Sequence, residues 1–151
     1  MMESGKYSDP IRIRAHHLLC IQGFQGYGYT KGFVLHMERV TYFLRSNPLY
    51  YLQIVVKSDE LCFECPHDVN GRCIKGSVDE ISKVDRSVIE KANLDLKHIY
   101  TVSEGFSTVN KNLNHEHVVS LCSGCSWQNK CLFFTLKRLN FDNFNKIKLY
   151  N

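Results

Sequence analysis

The segment LCFEC at residues 61–65 and its echo LCSGC at residues 121–125 share the pattern L-C-x-x-C. Each is followed by a third cysteine, Cys73 after the first and Cys131 after the second. A C-x-x-C turn directs two sulfurs at one metal centre, and two such turns in one chain are typical of zinc or iron–sulfur proteins. These segments therefore predict a small fold built around two metal-binding loops.

Composition and the N-terminus indicate how the cysteines are used. The 151 residues are 44% hydrophobic and 23% charged, which suits one folded domain. Residues 1–10 lack the apolar core of a secretory signal, and the apolar runs are far shorter than the ~20 residues that span a bilayer. We therefore expect one metal-binding domain over residues 1–151, flexible at residues 1–10 and located in the cytoplasm. Because thiols stay reduced there, the seven cysteines are predicted to be metal ligands rather than disulfides.

The formal net charge of +4 says little about partners. Four thiolates around zinc, or around an oxidised four-iron cluster, sum to about −2 per site, because metal-bound thiols are deprotonated. One or two such sites cancel much of the positive charge. We expect a protein redox or assembly partner, and neither a membrane nor a nucleic acid.

The chain before the first cysteine loop is predicted to form two strands and two helices. IRIR at residues 11–14 alternates apolar and basic residues, as a half-buried strand does. Residues 15–21 predict a short helix. Thr30 can cap a longer helix that runs to about Ser46, where an Asn-Pro pair stops it. Residues 50–56 are rich in aromatic and β-branched side chains and predict the second strand.

The remainder is predicted to be a loop followed by helices. Residues 58–76 hold three cysteines and form a loop or knuckle, and SVDE at residues 77–80 is a capping box that opens a helix. Residues 103–113 and 115–121 are weaker helical segments, and residues 131–139 predict a closing helix. The expected fold class is α+β: a mostly helical small single domain with a short β-sheet and two Cys-rich metal-binding loops.

The number of cysteines leaves the sites one ligand short. Two closed four-cysteine sites need eight sulfurs, and the chain has seven cysteines. Histidine is the natural substitute, and His16, His17 and His67 lie near cysteines. One four-cysteine site with three spare thiols, or a cluster with an open position, would also satisfy the count. Because triads with a remote fourth ligand are commoner in iron–sulfur proteins, an iron–sulfur cluster of the 4Fe-4S type is the leading cofactor and zinc the alternative.

Cys20 has three interpretations. On a helix, His16 and His17 are its i−4 and i−3 neighbours, so an imidazole shares its face. That arrangement suits a metal ligand pair or a thiolate activated by a base. The alternative is a core cysteine within the apolar patch at residues 18–21.

Five blocks of the sequence carry a family resemblance: IRIRAHHLLC at residues 11–20, GYGY at 26–29, DELC at 59–62, DR at 85–86, and CSGCSW at 122–127 with Cys131. Together they resemble the uncharacterised bacterial and archaeal family called domain of unknown function 1284. The resemblance covers most of the chain and implies an iron–sulfur cofactor without implying a reaction or a substrate.

The candidate ligands are the seven cysteines and the histidine pair: Cys20, Cys62, Cys65, Cys73, Cys122, Cys125, Cys131, His16 and His17. The leading function is an iron–sulfur protein that transfers electrons or is an accessory protein stabilised by its cluster. A zinc-stabilised interaction module is the second interpretation, and an enzyme that uses an open-site cluster or Cys20 is the third. Arg12 and Arg14 are the nearby cations for such a site, although charges at a strand edge explain them more simply.

Overall fold

The computed structural model describes residues 7–26, 30–66, 68–69, 72–73 and 80–122. In chain order the elements are β1 (Ile11–Arg14), α1 (His17–Gly23), α2 (Lys31–Ser46), β2 (Tyr51–Val55), a 3-10 helix (Glu60–Glu64), β3 (Asp68–Val69), β4 (Arg72–Cys73), α3 (Glu80–Ala92), β5 (Ile99–Thr101), α4 (Val102–Asn112) and α5 (His115–Cys122). The predicted α+β class, mostly helical with a small sheet, is confirmed. The predicted helix at residues 131–139 lies outside the described residues.

The main sheet has the strand order β1-β2-β5. Strand β1 runs parallel to β2 with Ile11 opposite Leu52, and β5 runs antiparallel to β2 with Tyr100 opposite Leu52. These three side chains lie on one face and are buried, together with Ile13 and Ile54. The alternation in IRIR therefore predicted β1 correctly. Strand β5 was not predicted, because a strand of three residues is too short to show an alternation of apolar and polar side chains. Its extended conformation depends on pairing with β2.

Helix α2 begins and ends where its sequence predicts. The Thr30 hydroxyl accepts a hydrogen bond from the Phe33 amide at 3.0 Å, which caps the first turn. At the other end the Asn47 side chain donates to the Phe43 carbonyl at 2.8 Å. The apolar stripe between these caps packs into the core through Met37, Val40, Phe43 and Leu44.

Helix α3 buries a charged side chain along with apolar ones. Its buried residues are Asp85, Val88 and Ala92, so a carboxylate occupies a core position. Residues 77–79 of the capping box predicted at 77–80 lie outside the described residues. Helix α4 begins with a capping box, in which Thr101 and Glu104 each accept from the other's backbone amide.

The N-terminal segment contributes to the core from Tyr7 onward. Tyr7 is buried, with 8% of its surface exposed. Its ring centroid lies 4.7 Å from that of Phe43, which in turn lies 4.9 Å from the ring of Tyr50. Within the described residues, no helix has both the length and the apolar character that crossing a bilayer requires.

Substitution of Leu52 tests whether this face of the sheet forms the core. We expect Leu52→Ala to lower the free energy of unfolding by about 2–5 kcal/mol, because a fully buried leucine leaves a cavity at the centre of the sheet. Leu49→Ala is the matched control, since Leu49 is 78% exposed and its truncation should cost no more than about 0.5 kcal/mol. Urea denaturation measures both. Equal losses in the two variants would contradict the assigned burial.

Candidate metal centre

The first C-x-x-C segment folds as a tight turn with Asp59 at its start. The Asp59 Oδ1 atom accepts from the amides of Leu61 and Cys62 at 3.0 and 3.2 Å, which caps the 3-10 helix. The Cys65 amide then donates to the Cys62 carbonyl at 3.0 Å, and the Asp68 amide donates to the Cys65 carbonyl at 3.0 Å. The two cysteines are therefore held in one hydrogen-bonded turn.

A short ribbon brings the third cysteine of this triad back toward the turn. Strands β3 and β4 pair antiparallel, with Asp68 opposite Cys73. Directly opposed residues have Cα atoms about 4.5–5.5 Å apart, and Asp68 is hydrogen-bonded to Cys65. The 3-10 helix and this ribbon, called the knuckle below, thus place the backbone of Cys73 close to that of Cys65.

The second oxygen of Asp59 ties the knuckle to the junction of β1 and α1. Its Oδ2 atom accepts from the Arg14 amide at 2.6 Å and pairs with His17 Nδ1 at 2.7 Å. Burial alone would raise the pKa of Asp59, but the charge of His17 and the hydrogen bonds from His17 and Arg14 outweigh it and lower the pKa to about 2. The ionised carboxylate only accepts, so His17 Nδ1 is the donor.

Five donors converge on Asp59, namely the amides of Leu61, Cys62 and Arg14, the ring of His17 and the Cys62 thiol. Two carboxylate oxygens with five hydrogen bonds between them have little capacity left for a metal ion. Asp59 is therefore better suited to orienting His17 than to direct coordination.

A second carboxylate–imidazole pair lies beside the first. His16 Nδ1 is 2.7 Å from Asp85 Oδ1, which also accepts from the His16 amide at 2.9 Å, while Arg14 Nε donates to Asp85 Oδ2 at 2.7 Å. Burial tends to raise the pKa of Asp85, but His16 and Arg14 lower it overall. Burial and the neighbouring His17 lower the pKa of His16, so its ring is neutral at pH 7 and its Nδ1 donates.

Arg14 is not the exposed strand-edge charge that the sequence suggested. It is 2% exposed, its side chain binds Asp85, and its backbone amide binds Asp59. Asp85 faces the end of β1 from α3, and its full burial requires a cation to compensate its charge. Arg12, two residues earlier on the same strand, is exposed as expected.

The two imidazoles are fixed in similar ways. Their ring centroids are 4.3 Å apart, and the side chains of His16 and His17 are 21% and 14% exposed. Both Nδ1 atoms donate to buried carboxylates, which leaves the lone pair of a neutral ring on Nε2. No residue in the described part of the chain hydrogen-bonds to either Nε2.

Cys62 lies next to the first of these pairs. Donor atoms of His17, Asp59 and Cys62 all lie within 4.8 Å of one another. Burial, and then the charge of Asp59, raise the pKa of the Cys62 thiol, so a bound cation rather than an empty site would be needed to hold the thiolate. Thiolate and imidazole donors together fit zinc or iron.

Two other predicted ligands lie on helices α1 and α5. Cys20 is partly exposed on α1 and Cys122 ends α5, and both contact the edge of the hydrophobic core. Neither they nor Cys65 belong to the group of donors around Cys62. None of these four thiols forms a disulfide. Cys125 and Cys131 lie outside the described residues.

Sequence reasoning had given no site role to Asp59 or Asp85, which appeared only within blocks of the family resemblance. Two signals could have found them. Asp59 directly precedes the L-C-x-x-C segment, where an N-cap is required. Asp85 interrupts the apolar side of α3, three residues before Val88, and a charge at such a position needs a buried partner.

Comparison with known proteins gives one match. The family model described as protein of unknown function (DUF1284) matches residues 28–131. The block at residues 11–20, which contributed to the resemblance, precedes the matched range. No curated protein and no solved structure matches the chain.

Arg14 gives a direct test of the buried ion pair. We expect Arg14→Met to lower the free energy of unfolding by about 3–5 kcal/mol, because Asp85 would remain buried without its cation. The control is Arg12→Met on the exposed face of the same strand, with an expected change within about 0.5 kcal/mol. Urea denaturation at pH 7 and one metal concentration measures both. Similar values for the two variants would contradict the role assigned to Arg14.

Asp59 predicts an acid-sensitive contribution to stability. Its folded pKa of about 2 lies below the ordinary aspartate value of 3.8, so the stabilisation is complete above about pH 4 and is lost as the pH falls toward 2. The lowered pKa contributes about 2 kcal/mol to the free energy of unfolding, because a pKa that is lower by one corresponds to about 1.36 kcal/mol. Between about pH 5 and pH 2.5, the wild type should therefore lose more unfolding free energy than Asp59→Asn. Parallel acid profiles for the two proteins would refute the assignment.

Proposed function

We propose that this chain, which belongs to the DUF1284 family of proteins of unknown function, binds a metal centre through its cysteine thiolates. The observation that carries the proposal is the knuckle, in which Cys62 is buried next to an oriented imidazole while Cys65 and the backbone of Cys73 lie in the same local unit. A buried thiol next to an imidazole nitrogen is a suitable ligand for a thiophilic metal ion.

An iron–sulfur centre is the leading form of the cofactor in this proposal. The six cysteines of the two triads exceed what a single zinc ion needs, and the family resemblance implies iron–sulfur chemistry. Such a centre supplies one-electron redox chemistry and crosslinks the chain segments that hold it. The proposed role is accordingly electron transfer, or that of an accessory protein stabilised by its cluster, acting with a protein partner.

Zinc is the second candidate, and one observation favours it. A ligating histidine commonly donates its other ring N–H to a carboxylate, an arrangement well known around zinc. The His17–Asp59 pair beside Cys62 has that construction. In this case the metal would stabilise an interaction module rather than transfer electrons.

Metal analysis of protein purified without oxygen tests the proposal. We expect brown protein with iron and acid-labile sulfide in similar amounts, because thiolate triads of this kind bind iron–sulfur clusters. Cys62→Ser should lose most of the metal of the first triad. Ser103→Ala, an exposed change on α4, should retain it. Colourless protein with stoichiometric zinc would support the second candidate, and wild-type protein without stoichiometric metal would refute both.

A further inference from the structure

The first triad needs a fourth ligand, and the described residues offer three candidates. In the function proposed above, Cys62, Cys65 and Cys73 would supply three donors to a site that is most often four-coordinate. Cys20, His16 and His17 all lie at or near the start of α1. We propose that His17 is this fourth ligand, bound through Nε2, with Asp59 as the residue that positions its ring. This inference rests on the metal-binding function proposed above.

Proximity favours His17 over Cys20. A ring nitrogen of His17 lies within 4.8 Å of the Cys62 sulfur, and Cys20 does not belong to that group of donors. Cys20 instead packs against the hydrophobic core, which is the third of its interpretations from sequence. The same carboxylate, Asp59, caps the Cys62 turn and binds the His17 ring, so the imidazole and the turn are fixed relative to each other.

The tautomer of His17 is the one a ligand requires. Asp59 accepts hydrogen bonds from the backbone amides of Arg14, Leu61 and Cys62. The ring N–H at His17 Nδ1 donates a further hydrogen bond to the same carboxylate. The lone pair then lies on Nε2. Carboxylate–histidine–metal arrangements have this order of atoms, and the carboxylate makes the imidazole a better ligand.

The spacing of the donors is compatible with a common metal centre. With bonds of about 2.0–2.1 Å to nitrogen and 2.3 Å to sulfur, two ligands of one tetrahedral ion lie about 3.6 Å apart. The donor atoms of His17 and Cys62 lie within 4.8 Å of each other, so a small adjustment of the knuckle would accompany metal binding.

His16 provides a matched comparison within the same structure. It is the adjacent residue, it also donates Nδ1 to a buried carboxylate, and its ring is similarly exposed. Its partner Asp85 belongs to α3 rather than to the knuckle, and His16 is absent from the donor group around Cys62. Replacing either histidine removes one imidazole and leaves one buried carboxylate short of a donor. Only His17 should affect the metal's coordination.

The experiment compares wild type, His17→Asn and His16→Asn, each purified without oxygen and analysed for metal content. X-ray absorption at the edge of the bound metal detects imidazole in its coordination shell, and pulsed EPR of reduced protein labelled with [15N]histidine adds the nitrogen coupling if the metal is iron. We expect the imidazole signal in wild type and in His16→Asn, and its loss in His17→Asn with metal affinity reduced about tenfold or more.

Two further variants keep the test decisive if His17→Asn folds poorly. His17→Cys should retain the metal and convert the site to an all-sulfur shell, whereas Cys20→Ser should keep both the metal and the imidazole signal. Stoichiometric metal with no imidazole in the wild-type shell, or a signal lost equally in His16→Asn, would overturn the inference and leave the proposed function standing. Wild-type protein without metal would instead overturn the proposed function.

Discussion

Two buried carboxylates determine the arrangement of this molecule, and Arg14 is the residue that accommodates both. Asp59 and Asp85 are 4% and 0% exposed, and a buried charge without partners would cost several kcal/mol. The Arg14 amide binds the first and its guanidinium binds the second. Because those partners come from one residue at the end of β1, the knuckle and α3 are fixed to the same point of the sheet. Arg14 supplies one positive charge for the two carboxylates, and hydrogen bonds from backbone amides and imidazoles provide the remaining stabilisation.

The histidine pair follows from the same constraint. The chain leaves β1 at Arg14 and enters α1 at His17, so three polar residues within four positions face the two carboxylates, namely Arg14, His16 and His17. Each imidazole completes the hydrogen bonding of one carboxylate and is itself fixed in tautomer and direction. A fixed ring favours metal binding, because ordering a mobile side chain on binding costs entropy and lowers the affinity.

Sequence patterns predicted the elements better than they predicted the site. Strand β1, helix α2 and strand β2 were readable because period and capping signals are local. The carboxylate–histidine pairs were not, since Asp59 and Asp85 lie 42 and 69 residues from their imidazoles and no local pattern specifies such pairing. For the same reason the burial of Arg14 was not predicted: its compensating charge is on α3, 71 residues away. The cysteine spacing predicted which residues belong to the knuckle, but it could not identify a histidine as their neighbour.

The two ends of the knuckle differ in how much they depend on a metal. At the start of the turn Leu61 is fully buried, and the hydrogen bonds of Asp59 hold the backbone with no ion involved. The ribbon end buries little, since Val69 is 45% exposed and β3 and β4 have two residues each. A two-stranded ribbon of that size is not stable alone in water. Metal coordination by Cys65 and Cys73 would therefore contribute its folding free energy mainly to the ribbon, while Cys62 and His17 stay preorganised by the core.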